Sequence, residues 1–148
     1  MIGRFEVFTL ALSEMSSSWN KIAQEELAPY GLKGGYVVYL IALFKSKEGL
    51  TATNLSELCN RDKAEVSRAV RALESKGFLK RDLTTSNGYR AKITLTDEGR
   101  NITSEIRERI KLIVDAAGTG LSEEDRESFY TSLDLISKNL KKISKKEL

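Results

Sequence analysis

Residues 62–82, DKAEVSRAVRALESKGFLKRD, decide the fold of this chain. The segment predicts a helix that ends near Gly77 and runs into a strand. One side of the helix is an apolar arc of Val66, Ala69, Val70 and Leu73. The opposite side carries Ala64, Arg68, Arg71 and Ser75, with Ser67 at its edge. A solvated face usually carries long Lys and Glu side chains, so this slender face indicates close approach to another surface.

A shorter helix precedes this one. The pattern predicts it over residues 51–58, with Thr51 as its N-cap and with Leu55 and Leu58 turned inward. Asn60 tolerates a left-handed turn, and Asp62 can cap the following helix. Helix, tight turn and helix within about 25 residues is the helix-turn-helix pattern.

A hairpin follows the second helix. Strands are predicted over residues 78–84 and 89–95, and Ser86-Asn87-Gly88 between them is a strong turn signal. On the second strand apolar residues alternate with Arg90, Lys92 and Thr94, so one face packs inward and the other presents positive charge.

Long amphipathic helices flank this unit. Phe5, Phe8, Leu12, Met15, Trp19 and Ile22 form a narrow apolar seam, and a helix there should end before Pro29. Near the C-terminus Phe129, Leu133, Ile136, Leu140 and Ile143 repeat the same spacing. Residues 36–44, YVVYLIALF, predict a central helix that is buried nearly all round. A third long helix should begin at Thr96, weakened slightly by Gly99.

Composition and charge indicate what kind of protein this is. The chain has 148 residues, 41% of them hydrophobic and 30% charged, which fits a single globular domain. The net charge is +3, but residues 61–92 alone hold nine basic and four acidic residues and carry +5. A basic patch on a nearly neutral body indicates a polyanionic partner such as DNA. The alternative is a winged-helix module that binds an acidic protein without binding DNA.

Several classes of function are disfavoured. Without histidine, neither a histidine-based metal site nor Ser-His-Asp chemistry is expected, and no carboxylate pair stands out, so the chain is predicted not to be an enzyme and to need no cofactor. No apolar run approaches the roughly 18 residues of a membrane span. The single cysteine, Cys59, fits a reducing cytoplasm and is interpreted as a small core residue.

The order of elements resembles the MarR family of winged-helix transcription regulators. The stretches LTATNLSELC, DKAEVSRAVRALESKGFLKR and ITLTDEG carry the resemblance. It implies a mostly α-helical winged helix-turn-helix with a small β-hairpin wing, flanked by long N- and C-terminal dimerisation helices. It also implies a homodimeric repressor released by a small, commonly aromatic, effector. Trp19, Tyr30, Tyr36 and Tyr39 are the candidates for lining an effector pocket.

The wing departs from the family pattern. An Asp-x-Arg usually stands shortly before the LT of the second strand, and Asn87 and Tyr89 occupy those two places here. Either Arg90 replaces the arginine in a shifted hairpin, or Tyr89 contacts the minor groove differently. Arg61 stands in the turn where the family tends to have an apolar residue.

These patterns predict a DNA-binding surface and a dimer surface. Arg68 and Arg71 are expected to read bases from a major groove that Ala64 and Ser67 can approach. Phosphate or minor-groove contacts are expected from Lys63, Arg81, Tyr89, Arg90 and Lys92. Dimer contacts are expected from Phe5, Phe8, Leu12, Phe129, Leu133, Ile136 and Leu140. The single domain, 1–148, would divide into a DNA-binding lobe, about 32–96, and a helical dimerisation region, about 1–28 and 97–148. The DNA target would be an inverted repeat.

Overall fold

The computed structural model describes residues 3–83 and 90–145. Over these residues the chain forms six α-helices and a two-stranded antiparallel sheet. The elements in order are α1 (Arg4–Leu27), α2 (Val37–Lys45), α3 (Ala52–Cys59), α4 (Lys63–Ser75), β1 (Leu79–Asp82), β2 (Lys92–Leu95), α5 (Asp97–Ala117) and α6 (Glu123–Ser144). Short 3-10 turns lie at Ala28–Tyr30 and Gly34–Tyr36. The predicted mostly α-helical winged helix-turn-helix is confirmed.

Local chemistry sets the ends of the helix-turn-helix pair. The Thr51 hydroxyl accepts a hydrogen bond from the Asn54 amide at 3.0 Å, and the Asp62 carboxylate accepts one from the Glu65 amide at 2.8 Å. Asn60 lies in the left-handed region with φ 51°. These predicted caps and the predicted turn are confirmed, and together they fix where α3 ends and α4 begins.

The end of α4 is equally specified. Gly77 has φ +82°, its amide donates to the Glu74 carbonyl, and the Phe78 amide donates to the Leu73 carbonyl at 3.0 Å. This pair of hydrogen bonds is the Schellman arrangement, which favours glycine at the left-handed position. The chain therefore leaves α4 directly into β1.

The hairpin is shorter within the described residues than the sequence predicts. β1 and β2 pair from Leu79 opposite Leu95 to Asp82 opposite Lys92, and residues 84–89, which include the predicted turn, lie outside the described part of the chain. Leu50 forms a bridge to Ile93 on the other side of β2. Ala91, Ile93 and Leu95 are buried, which confirms the predicted alternation.

Two interpretations of apolar residues were wrong. Leu58 is not turned inward: 65% of its surface is exposed at the end of α3. The helix α2 is not buried all round, because Val38, Ile41 and Ala42 are only half-buried. The remaining side of α2 does form the core, through Val37, Tyr39, Leu40 and Leu43.

Gly99 has a packing role that helix propensity alone does not indicate. A Cβ atom at this position would lie 2.1 Å from the carbonyl oxygen of Phe78. The Thr96 hydroxyl donates to the Gly77 carbonyl at 2.6 Å and accepts from the Gly99 amide at 3.0 Å. The first turn of α5 is thereby held against the start of β1, and only glycine leaves room for that contact.

The backbone divides into two compact units, Met1–Arg109 and Ile110–Leu148. In the first unit, Arg109 forms a two-pronged hydrogen-bonded ion pair with Glu26, both distances being 3.1 Å, and Tyr30 donates to Glu105 at 2.7 Å. In the second unit, the Ser122 hydroxyl caps α6 by accepting from the Asp125 amide at 3.1 Å.

No single helix among the described residues is both long and apolar enough to cross a membrane. One bent pair, Arg4–Tyr30 with Gly34–Lys45, satisfies the criteria of length and composition when taken together, with a bend of 91°.

Candidate nucleic-acid interface

The exposed face of α4 is the centre of the candidate site. Val66, Ala69, Val70 and Leu73 are buried, and this apolar arc fixes the rotation of the helix. Ala64, Arg68, Arg71 and Ser75 are exposed, and Ser67 is half-buried at the edge, as predicted. The slender face therefore points away from the protein body.

The two arginines of this face are accessible. The only hydrogen bond found for either guanidinium among the described residues is a weak one, from Arg71 Nη2 to the Ser67 hydroxyl at 3.5 Å. Neither arginine is held against a carboxylate by a described salt bridge. Both planar groups therefore remain available to a ligand that presents paired acceptors.

The predicted flanking cations differ in their surroundings. Lys63 is exposed in the first turn of α4, and Arg90 and Lys92 are exposed at the second strand of the hairpin. Arg81 is the exception, because its Nε lies 3.2 Å from Glu74 Oε2 and its side chain is only 27% exposed. It links β1 to α4, and this ion pair competes with any contact to a phosphate. Tyr89 lies outside the described residues.

A cleft beside α4 adds Lys33, which the sequence did not single out, to residues that it did. It encloses about 270 Å³ and brings Lys33, Tyr36 and Arg61 together with Arg68 and Glu65. Tyr39 also lines it, and the rings of Tyr36 and Tyr39 are 6.5 Å apart. The only sequence signal for Lys33 is its place in a glycine-containing loop just before a helix.

Arg61 has a structural role as well as a place in the cleft. Its Nη1 donates to the carbonyls of Cys59 and Asn60 at 3.3 and 3.4 Å. The guanidinium thus satisfies carbonyl groups at the end of α3, where a cation is favourable. The side chain is nevertheless exposed, so it adds positive charge beside α4.

Two aromatic effector candidates meet in this cleft and two do not. Tyr36 and Tyr39 line it, whereas Trp19 and Tyr30 are not among its lining residues. Burial is the main cause that raises the pKa of Tyr39. The hydrogen bond to Glu105, assisted by burial, raises the pKa of Tyr30. Both phenols therefore stay protonated near neutral pH.

Cys59 is half-buried rather than enclosed in the core. Its Sγ lies 3.8 Å from the Val38 carbonyl oxygen, and burial raises the pKa of the thiol. A raised pKa reduces the thiolate fraction, so this environment does not activate a nucleophile. Within residues 3–83 and 90–145, no group of three or more potential ligands is placed to hold a metal ion.

The predicted dimer residues are exposed within their own units. Phe5, Phe8 and Leu12 lie on α1, with Phe5 74% exposed. Phe129, Leu133, Ile136 and Leu140 are exposed on α6. Most single apolar side chains at a surface need no explanation, but rows of them along long helices indicate surfaces that another helix covers.

Comparison with known proteins supports the same class. No family model matches the chain. It is 23% identical over 123 residues to the uncharacterized HTH-type transcriptional regulator YybA of Bacillus subtilis, covering 83% of this chain and 81% of that protein. It is 27% identical over 132 residues to the HTH-type transcriptional repressor YetL of the same organism, covering 88% and 78%. These relatives are regulators of transcription and not enzymes, in agreement with the prediction.

Solved structures show the fold. A MarR transcriptional regulator from Methanosarcina mazei superposes with a TM-score of 0.84 at 20% identity, covering 97% of this chain and 94% of that one. The Staphylococcus aureus MepR–DNA complex superposes with a TM-score of 0.79 at 20% identity, covering 89% of this chain and 97% of that one. A putative MarR family regulator from Listeria monocytogenes, complexed with a 26mer DNA, gives 0.82 at 18% identity, covering 89% and 87%. The fold that the resemblance to the MarR family implies is confirmed.

Proposed function

From the MarR-family fold of this chain, we propose that it is a homodimeric transcriptional repressor that binds double-stranded DNA at an inverted-repeat operator. It acts in the cytoplasm, with α4 as the recognition helix. The domain division follows: residues of about 32–96 contact DNA, and about 1–28 and 97–148 form the dimer. The exposed, slender face of α4 is the observation that carries the proposal.

Groove dimensions make this face suitable for base readout. The major groove, about 12 Å wide, admits one α-helix, and small residues at the leading face let the backbone come close to the base edges. Ala64 and Ser67 provide that closeness, while Arg68 and Arg71 reach the acceptors. A guanidinium matches the O6 and N7 atoms of guanine with two parallel hydrogen bonds.

Phosphate contacts would set the register of α4 without reading sequence. Lys63 lies in the first turn of α4, Lys92 is the first residue of β2, and Arg90 lies two residues before it. Lys33 and Arg61 add two cations beside Arg68. Positive charge on both sides of the recognition helix favours a polyanion that extends past it in both directions.

The apolar rows on α1 and α6 support the homodimer. Pairing them with the same rows of a second copy would remove the exposed surface of Phe5, Phe8, Leu133 and Ile136 from water. Full burial of a fully exposed side chain of this kind contributes about 1.5–3 kcal/mol, and these partly exposed ones contribute a corresponding share. A twofold dimer would place its two recognition helices about one DNA turn, roughly 34 Å, apart. That spacing is the reason for expecting an inverted repeat.

Release by a small aromatic effector has a candidate location in the cleft beside α4. Tyr36 and Tyr39 offer aromatic surface, and Lys33, Arg61 and Arg68 offer positive charge. A ligand held by Arg68 would remove that arginine from the DNA surface. Binding of effector and operator would then be mutually exclusive, and the effector would lower operator occupancy by its own affinity.

The decisive experiment is selection of genomic fragments by the purified protein, followed by salt titration of the selected site. We expect an inverted repeat, and an affinity that falls with a log–log slope of about −0.9 per phosphate neutralised. Absence of duplex binding at low salt would overturn the proposal and favour the acidic-protein alternative. A bound site without twofold symmetry would overturn the dimer while leaving DNA binding intact.

A further inference from the structure

A second cavity lies on the other side of α2, between α2 and α3. This outer groove has a volume of about 460 Å³. Its apolar lining comes from Val38, Ile41 and Ala42 of α2 and from Leu58 of α3, with Lys45 and Cys59 at its edges. The volume lies within the range of small-molecule sites in proteins, roughly 300–1,000 Å³.

The outer groove accounts for an apolar surface that the described residues leave open. The sequence of α2 is apolar on all sides, yet Val38, Ile41 and Ala42 are only half-buried. Leu58 faces them with 65% of its surface exposed. Apolar residues from two helices thus converge on one open groove, which is more than isolated exposed side chains would give.

Charge and hydrogen bonding select the polar end of a ligand. Lys45 is the charged residue among those that line the groove. The other polar groups are turned to the backbone: the Ser46 hydroxyl donates to the Gly49 carbonyl at 3.2 Å, and the Cys59 thiol faces the Val38 carbonyl at 3.8 Å. The lysine ammonium therefore remains as the group that can recognise a ligand charge, and it requires an anion.

We propose that the outer groove binds a small amphipathic carboxylate, with its hydrocarbon body between α2 and α3 and its carboxylate paired with Lys45. The hydrocarbon would cover Val38, Ile41, Ala42 and Leu58, and removing this apolar surface from water favours binding. The ion pair fixes the direction of the ligand in the groove.

The position of the groove couples it to the DNA-binding surface, a consequence that rests on the proposed function. Leu58 and Cys59 are the last residues of α3 before the Asn60 turn that starts α4. Leu50, also in the lining, pairs with Ile93 of the wing. A ligand that prefers a wider spacing of α2 and α3 would shift the population towards conformers in which α4 and the wing are displaced.

Cys59 supplies a direct test of occupancy, because it is the only cysteine in the chain. The rate of its reaction with 5,5′-dithiobis(2-nitrobenzoate) at pH 8.5 is measured against increasing decanoate. The alkaline pH offsets the raised pKa of the thiol. We expect decanoate to slow the reaction in a saturable manner, and decyltrimethylammonium, with the same chain length and the opposite charge, to leave the rate unchanged.

Variants of the protein test separately how the carboxylate and the hydrocarbon chain of the ligand contribute to binding. Lys45→Gln should weaken protection by decanoate about three- to fivefold, the effect of a partly exposed ion pair. Lys47→Gln is the matched control, since Lys47 does not line the groove. In this variant decanoate should protect Cys59 as well as it does in the parent. Ala42→Phe, which fills the groove, should abolish saturable protection. Circular dichroism verifies that each variant is folded.

The outcomes that would overturn the proposal are specific. Failure of decanoate to protect Cys59 in the parent, equal protection by the cationic chain, or unchanged protection in Lys45→Gln would each exclude an amphipathic carboxylate site. Protection that depends on protein concentration without ligand would show that a second copy covers the groove. These thiol measurements need no DNA, so they stand whether or not the chain binds an operator.

Discussion

The backbone amide of Gly34 donates a hydrogen bond to Oε1 of Gln24 at 2.9 Å, and the two residues are in direct backbone contact. A Cβ atom at Gly34 would lie 2.5 Å from the backbone nitrogen of Gln24, so the turn before α2 packs on α1 with no space for a side chain. The neighbouring Gly35 differs completely, because a Cβ atom there would have nothing within 4 Å. This contact sets where α2, and with it the cleft containing Tyr36, lies relative to α1.

Gly34→Ala should therefore lower the free energy of unfolding by about 1–3 kcal/mol, the usual cost of adding atoms to a tightly packed site. Gly35→Ala is the matched control and should be neutral or slightly stabilising, by at most about 1 kcal/mol. Urea denaturation of both variants measures the difference. Similar stabilities for the two variants would contradict the close contact at Gly34.

Arg71→Ala should reduce discrimination between the operator and scrambled DNA by about 1–3 kcal/mol, because a paired contact to a base is lost. Competition between operator and scrambled DNA for the protein, at a fixed salt concentration, measures this discrimination. Retention of parental selectivity would show that Arg71 does not contact a base.

Lys92→Ala should weaken all duplexes alike and reduce the magnitude of the log–log salt slope by about 0.9, the value for one phosphate contact. Salt titrations on operator and scrambled DNA measure both effects. A change confined to the operator would instead assign Lys92 to base readout.

Leu133→Asp should convert dimers into monomers, because it places a charge in the apolar row of α6. Sedimentation velocity across a range of protein concentrations measures the change. Leu83→Asp is the control: Leu83 is 57% exposed, against 43% for Leu133, but it lies at the hairpin and should leave the dimer intact. If Leu133→Asp remains dimeric, α6 does not form the dimer contact.

The ion pair of Glu26 and Arg109 should make stability depend on pH in acid. The hydrogen bond from Arg109 is the main cause that lowers the pKa of Glu26 below its ordinary value of 4.5. The folded protein therefore binds this proton less readily than the unfolded chain, so the stabilisation is present above pH 4.5 and is lost as the pH falls through the folded-state pKa.

The measurement compares melting temperatures of the parent and Arg109→Ala between pH 7 and pH 3. The difference in melting temperature between the parent and Arg109→Ala should become smaller as the pH falls. Arg107→Ala is the control, because Arg107 lies 4.4 Å over the ring of Phe44, which does not titrate. The decrease in melting temperature caused by Arg107→Ala should be the same at pH 7 and at pH 3. A constant difference for Arg109→Ala would show that the pair does not stabilise the fold.

Short-range chemistry was predictable from the sequence. The caps at Thr51, Asp62 and Ser122 and the turn at Asn60 all depend on a residue and its near neighbours in the chain. The orientation of α4 was also predictable, because its apolar arc is continuous over about two turns, from Val66 to Leu73. These features define the ends of α4 and its exposed face before any tertiary contact is known.

Features that depend on distant segments were not predictable. Leu58 has the spacing of a core residue, but no described segment covers it. Gly99 suggests only a weaker helix until the backbone of Phe78 is placed against it. Arg81 looks like the other basic residues of its segment until Glu74 is found beside it, and Lys33 gains its interest only through its place near Arg68.

The uncovered apolar rows of α1 and α6 have a consequence for gene control. If operators are held by paired subunits, their occupancy at low abundance rises with the square of the protein level. Halving the concentration of the protein would then cut occupancy about fourfold in that regime. If the apolar rows of α1 and α6 join two copies, they would thus make operator occupancy respond steeply to the protein concentration, with no effector involved.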